Sequence, residues 1–96
     1  MFRLKTSSDL QKQLADHVKR IRQSRKITQQ ELADRANIGI ATIQRFEQRG
    51  EIGLSKLMTI LAVLDVGEAI VESFEKATPT FSSIEEIERL NRKERS

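Results

Sequence analysis

Leu10, Leu14, His17 or Val18, and Ile21 recur at intervals of three and four, the spacing of one helix face. Ser7-Ser8-Asp9 just before them is a cap for such a helix, which is predicted to run to about Ser24. Arg25-Lys26 would then lie at its electronegative end. Thr28-Gln29-Gln30-Glu31 has the form of a capping box, with Leu32, Ala33 and Ala36 as the inner face of a short second helix. Asn37 follows where a tight turn asks for a left-handed residue, and Gly39 can cap the next helix. That third helix, Ile40 to Glu47, points Ile43 and Phe46 inward. Gly50 and Gly53 punctuate a loop. Leu54, Leu57, Met58, Leu61 and Leu64 form the stripe of a fourth helix, widened by Ile60 and Val63. A fifth is predicted from about Glu68 to Phe74, carrying Ile70, Val71 and Phe74.

Beyond this the pattern thins. Lys76 to Thr80 holds the one proline, Pro79, and reads as a linker. Ser83-Ile84-Glu85-Glu86 is a further capping box, and Ile84, Ile87 and Leu90 make one apolar edge of a short terminal helix. Asn91 to Ser96 are polar, as in a frayed end. Phe2-Arg3-Leu4-Lys5 alternates and fits a small edge strand. The expected fold is therefore all-α. It comprises a five-helix domain over residues 1–75, then a linker and a short helical or flexible tail over 76–96.

Composition narrows the chemistry. The 96 residues contain no cysteine, which removes disulfides, thiolate metal sites and a cysteine nucleophile. His17 is the single histidine and has no companion ligand, so no metal or cofactor is expected. Glu85, Glu86 and Glu88 cluster, but helical spacing makes them a solvated face and cap. No nucleophile–base–orienter set is present, and no enzyme activity is expected. No apolar run reaches membrane-spanning length, and the N-terminus lacks the apolar stretch of a secretory signal. A cytoplasmic location is the expectation. The net charge is +3, and its distribution is uneven. Residues 1–53 hold eleven Lys/Arg against six Asp/Glu, and residues 54–96 hold six against eight. The basic half suits a polyanion, though an ordinary solvated surface accounts for it equally well.

Two short helices joined by a tight turn are the geometric requirement of a helix-turn-helix, whose second helix enters the major groove of DNA. Ile27-Thr28-Gln29-Gln30-Glu31-Leu32-Ala33, Asn37-Ile38, Thr42-Ile43 and Phe46-Glu47 resemble that motif in its Cro/phage-repressor form, the XRE family. Leu54-Ser55-Lys56-Leu57 through Leu64 continues the resemblance, which covers roughly residues 15–66, with the motif at about 28–47. The family usually has Gly in the turn and Ser or Thr opening the recognition helix. Asn37 and Gly39 depart from this, and Gly39 lacks the hydroxyl with which such a residue can reach a phosphate.

Ile40, Ala41, Gln44 and Arg45 lie on or beside the third-helix face not spent on Ile43 and Phe46. Gln44 can pair with adenine and Arg45 with guanine, while Ile40 and Ala41 offer apolar contact to a thymine methyl. For Arg45 a phosphate contact is an equal alternative. The resemblance implies that Gln29, opening the second helix, holds a backbone phosphate. Thr42 is a phosphate donor or local cap, and Lys26 and Arg49 are candidate backbone contacts or plain solvated charges. The resemblance also implies that Arg22 and Glu47 form a buried structural ion pair.

One such motif reads only a few base pairs, and family members usually dimerise on inverted half-sites of operator DNA. Ile70, Val71 and Phe74 can supply that homodimer interface or be buried in the monomer. The run Ile43–Glu47, Leu54 to Leu57, the short fifth helix and Ser82–Arg89 look like HipB-type antitoxin repressors. Such proteins bind a HipA-like serine/threonine kinase and repress their own operon. Ile84, Ile87 and Leu90 are then candidates for the dimer or partner surface. An ordinary XRE regulator, of phage or restriction–modification type, is the alternative. A protein-bridging scaffold that reads no DNA is the alternative of another class.

Overall fold

The computed structural model describes residues 5–79 and 81–95, for 81–83 and 93–95 the backbone only. Six helices follow in order: α1 (Ser7–Ser24), α2 (Gln29–Ala36), α3 (Ile40–Arg49), α4 (Leu54–Val63), α5 (Gly67–Ala77) and α6 (Phe81–Arg95). No strand occurs among the described residues. Phe2, Arg3 and Leu4 of the expected edge strand lie outside them, and Lys5 is in no strand.

The cap of α1 is Thr6 rather than Ser7-Ser8-Asp9. Thr6 Oγ1 accepts from Asp9 N–H at 3.1 Å, and Thr6 N–H donates to Asp9 Oδ2 at 3.1 Å. The Thr6 N–H bond to the carboxylate, followed by a hydrogen bond from the Thr6 side chain, holds the Asp9 carboxyl below its ordinary pKa. At α2 the box is half made. Thr28 Oγ1 accepts from Glu31 N–H, but the Glu31 carboxylate accepts from the Thr28 hydroxyl instead of its backbone.

Three helix ends share one device. Lys26, Asn37 and Asp65 all sit in the left-handed region, at φ 58°, 53° and 60°. In each case the next residue's N–H reaches back to the helix: Ile27 to Arg22, Ile38 to Ala33 and Val66 to Leu61. This 6→1 bond satisfies a carbonyl that the helix end leaves without a partner. None of the three is glycine, and only Asn37 is of a residue type that signals such a turn.

The core joins Ala15 and Val18 of α1, Leu32 and Ala33 of α2, Ile43 and Phe46 of α3, and Ile60, Leu61 and Leu64 of α4. The inward face of α1 is therefore not centred on the expected stripe. Leu10 and Leu14 are exposed, His17 is exposed and Ile21 is half-buried, while Ala15, Val18 and Arg22 are buried. Ala15, Val18 and Arg22 follow at three- and four-residue spacing, so the buried stripe is offset from Leu10 and Leu14. In α4, Leu54 and Met58 are likewise exposed, and Ile60 takes a central place.

Of the four glycines, Gly50 makes the closest approach to another helix, and it ends α3 at φ 74°. A Cβ there would lie 2.6 Å from the carbonyl carbon of Gln11. Gln11 Nε2 donates to Gly50 O at 3.2 Å, and Lys12 Nζ to Glu47 O at 3.3 Å. Thus α3 is pinned to α1 by backbone contact at one end and by the core in its middle.

The other two helices are less enclosed. α5 packs on α4 through half-buried Ile70, and buries no residue fully. It begins at Gly67 and ends at Ala77, longer than the predicted Glu68–Phe74. The tail is a full sixth helix of 15 residues, not a short one, with its helical backbone continuing through Asn91 to Arg95. Among the described residues it packs extensively on none of α1–α5. The radius of gyration is accordingly 18.2 Å, against roughly 12–13 Å for a compact chain of this length.

Candidate nucleic-acid interface

The second and third helices and their turn are set by the Thr28 cap, the left-handed Asn37 and Gly39 at the α3 N-cap. Gly39 has φ −62° and open space around a would-be Cβ, so an L side chain fits there. α3 buries Ile43, Phe46 and Glu47. Its opposite face carries Ala41, Gln44, Arg45 and Gln48 at the i, i+3, i+4, i+7 spacing, all exposed. These residues and Arg49 line a shallow groove along the helix.

The candidates divide on this geometry. Ala41, Gln44 and Arg45 stand on the open face. Ile40 is half-buried and packs against the core, off that face. Thr42 is half-buried and lines a second depression with Arg45, Glu51, Ile52, Gly53 and Lys56. Lys26 and Arg49 are exposed, at the α1–α2 junction and the C-terminal end of α3.

Arg22 and Glu47 are both buried. Arg22 Nε lies 2.7 Å from Glu47 Oε2, and Nη2 lies 2.9 Å from Oε1. The remaining fork nitrogen, Nη1, donates to Ile27 O at 2.7 Å. Gln29 Nε2 then donates to Glu47 Oε1 at 3.0 Å. One carboxylate thus ties α1, the α1–α2 turn, α2 and α3 together. Its buried oxygens are fully engaged, as are the other buried side-chain polar atoms among the described residues.

This network changes the picture of Gln29. Its amide is partly spent on Glu47, which leaves one N–H for an anion in front of the α2 N-terminus. Gln29→Ala is therefore expected to have two effects. Stability should fall by about 0.5–1.5 kcal/mol, read by urea denaturation, from one lost hydrogen bond. DNA affinity should fall by a similar factor on every sequence.

Sequence reasoning missed several residues. Gln48 carried a signal, since it is four positions after Gln44 and seven after Ala41. Lys56 and Glu51 carried none, because their placement depends on how the chain turns at Gly50. Glu51 Oε2 accepts from Arg45 Nε at 3.2 Å. No described helix is long and apolar enough to cross a membrane.

Comparison with known proteins agrees with the geometry. A family model described as Helix-turn-helix matches residues 18–71, from the middle of α1 into α5. No curated protein matches the chain. The match spans more than half of the chain and includes the whole α2–turn–α3 unit, and the protein belongs to the XRE-type helix-turn-helix family of DNA-binding regulators.

Proposed function

We propose that the protein is a dimeric, sequence-specific transcriptional repressor, with a DNA-binding unit that ends with α5. The observation that carries this reading is the exposed face of α3. Ala41, Gln44, Arg45 and Gln48 project together from a helix whose other face is locked into the core. A long amide and a guanidinium on one rigid helix suit the hydrogen-bonding edges of the major groove. Gln44 would meet adenine and Arg45 guanine. Gln29, Lys26, Thr42 and Arg49 would serve as backbone contacts.

Arg45→Ala and Gln29→Ala test the division. Arg45→Ala should relax base preference at one position, at a cost of about 1–3 kcal/mol on the preferred sequence. Equal weakening on all sequences would make Arg45 a phosphate contact and remove the base-reading assignment.

Dimerisation is supported by apolar side chains that the monomer leaves in the open. Val71 and Phe74 on α5, and Ile84, Ile87 and Leu90 on α6, are all exposed, while Ile70 is partly spent on the core. Within the family, we assign the protein to the HipB-type antitoxins, on the resemblance of Ile43–Glu47, Leu54–Leu57 and Ser82–Arg89. It would then repress its own operon and bind a HipA-like kinase. Co-purification with a kinase encoded beside it, with and without residues 79–96, checks this. A dimer that binds its operator but captures no such kinase is an ordinary regulator of the same family.

A further inference from the structure

Glu51 is a carboxylate on the side of the molecule that is offered to a polyanion. Its position is not accidental to the fold. Gly50 turns the chain in the left-handed region and is held against the Gln11 backbone, with its N–H on Phe46 O at 2.7 Å. That anchored turn brings Glu51 back beside α3, six residues after Arg45. Glu51 Oε2 then accepts from Arg45 Nε at 3.2 Å, with the two side chains 54% and 63% exposed.

The choice of nitrogen matters. A guanidinium held at Nε keeps its terminal Nη1 and Nη2 free as a parallel fork, the arrangement that meets guanine O6 and N7. An unheld Arg45 has long, soft torsions and can swing to either flanking phosphate. A carboxylate here also repels the backbone, so it weakens binding that depends on phosphates alone.

We propose that Glu51 is a specificity-determining residue: it positions Arg45 through Nε so that the terminal fork meets a guanine, and it disfavours the swing of Arg45 to phosphate. This rests on Arg45 being a base reader. It makes the Gly50 turn a part of the reading head, because that turn delivers the carboxylate.

The test uses the full-length chain and duplexes that it selects from a randomised pool. Each selected guanine is replaced by adenine, and the ratio of the two dissociation constants is measured for wild type and variants. Arg45→Ala should collapse the ratio at one guanine, by about 5- to 150-fold. Glu51→Ala should lower the ratio at that same guanine by about 2- to 5-fold, the scale of an exposed ion pair. It should also tighten binding to a scrambled duplex. Glu51→Gln keeps an acceptor oxygen for Nε, so it should tighten scrambled binding yet retain more of the ratio than alanine does. Combined with Arg45→Ala, Glu51→Ala should no longer affect the ratio. An unchanged ratio in Glu51→Ala overturns the proposal, as does an equal loss when Arg45 is absent. If Arg45→Ala itself spares every guanine, the base-reading role of Arg45 fails first and takes the positioning role with it.

Discussion

Arg22→Ala is expected to destabilise the fold by about 3–5 kcal/mol, the scale for breaking a buried ion pair on one side. A small domain holds only about 5–15 kcal/mol in all, so the variant should be partly unfolded near 37 °C. The reason is the isolation of Glu47. Its carboxylate is buried in the core side of α3, and two of its three hydrogen bonds come from Arg22. Gln29 alone would remain to satisfy it. Ile27 O would lose its Nη1 donor as well. The measurement is chemical denaturation followed by circular dichroism at 222 nm. Arg22→Met together with Glu47→Leu should recover most of the loss, because no stranded charge is left. DNA affinity in the double variant should still fall, since Gln29 loses the oxygen that fixes its amide. A single variant as stable as wild type would mean that the pair is not desolvated.

The second large effect is expected at Gly50. Gly50→Ala should cost about 2–5 kcal/mol, from two additive sources. An L residue in the left-handed region loses about 1–2 kcal/mol. Forcing a methyl into a packed contact adds about 1–3 kcal/mol. The obstructing atoms are backbone: Gln11 C at 2.6 Å, Gln11 O at 2.7 Å and Lys12 N at 2.9 Å. Backbone within a helix cannot rotate away as a side-chain tip can, so α1 and α3 must part. Gly53→Ala is the control, with nothing within 4 Å of its Cβ and an extended φ of −72°. It should change stability by less than about 1 kcal/mol. Equal midpoints for the two variants in a urea titration would contradict the close approach.

The contrast between these two glycines shows what was legible in the sequence. Both read as punctuation of one loop, yet only Gly50 is a contact between helices. Local signals did reveal local structure. Thr28, Asn37 and Gly39 marked the limits of α2 and the start of α3, because caps and left-handed turns are chemistry of neighbouring residues; α3 itself runs to Arg49, two residues past the expected Glu47. Lys26 and Asp65 take the same left-handed turn without the expected residue type, since the 6→1 hydrogen bond, burial of Ile27 and packing of half-buried Val66 outweigh a modest backbone cost.

Registers across helices were less readable. Weighting large side chains put Leu10 and Leu14 on the inner face of α1, whereas the buried stripe is Ala15, Val18 and Arg22. The same bias put Leu54 and Met58 on the inner face of α4. The site itself divides in the same way. Ala41, Gln44 and Arg45 follow from helical period alone, whereas Gln48 lies beyond the predicted helix end at Glu47 and joins them because α3 runs on to Arg49. The bond from Gln29 to Glu47 and the grip of Glu51 on Arg45 join residues 18 and six positions apart, across turns whose paths only the assembled fold defines.

The central claim is that the open face of α3 reads DNA sequence. It is tested most directly by measuring wild-type affinity for a selected duplex and for a scrambled duplex of equal length, each at 50 and 200 mM salt. Both affinities should fall as salt rises, since phosphate contacts release counterions. The selected duplex should remain preferred by about 10³-fold or more at both salts, because base contacts are little screened. Equal affinity for the two duplexes at each salt, or no salt-dependent binding at all, would contradict the account.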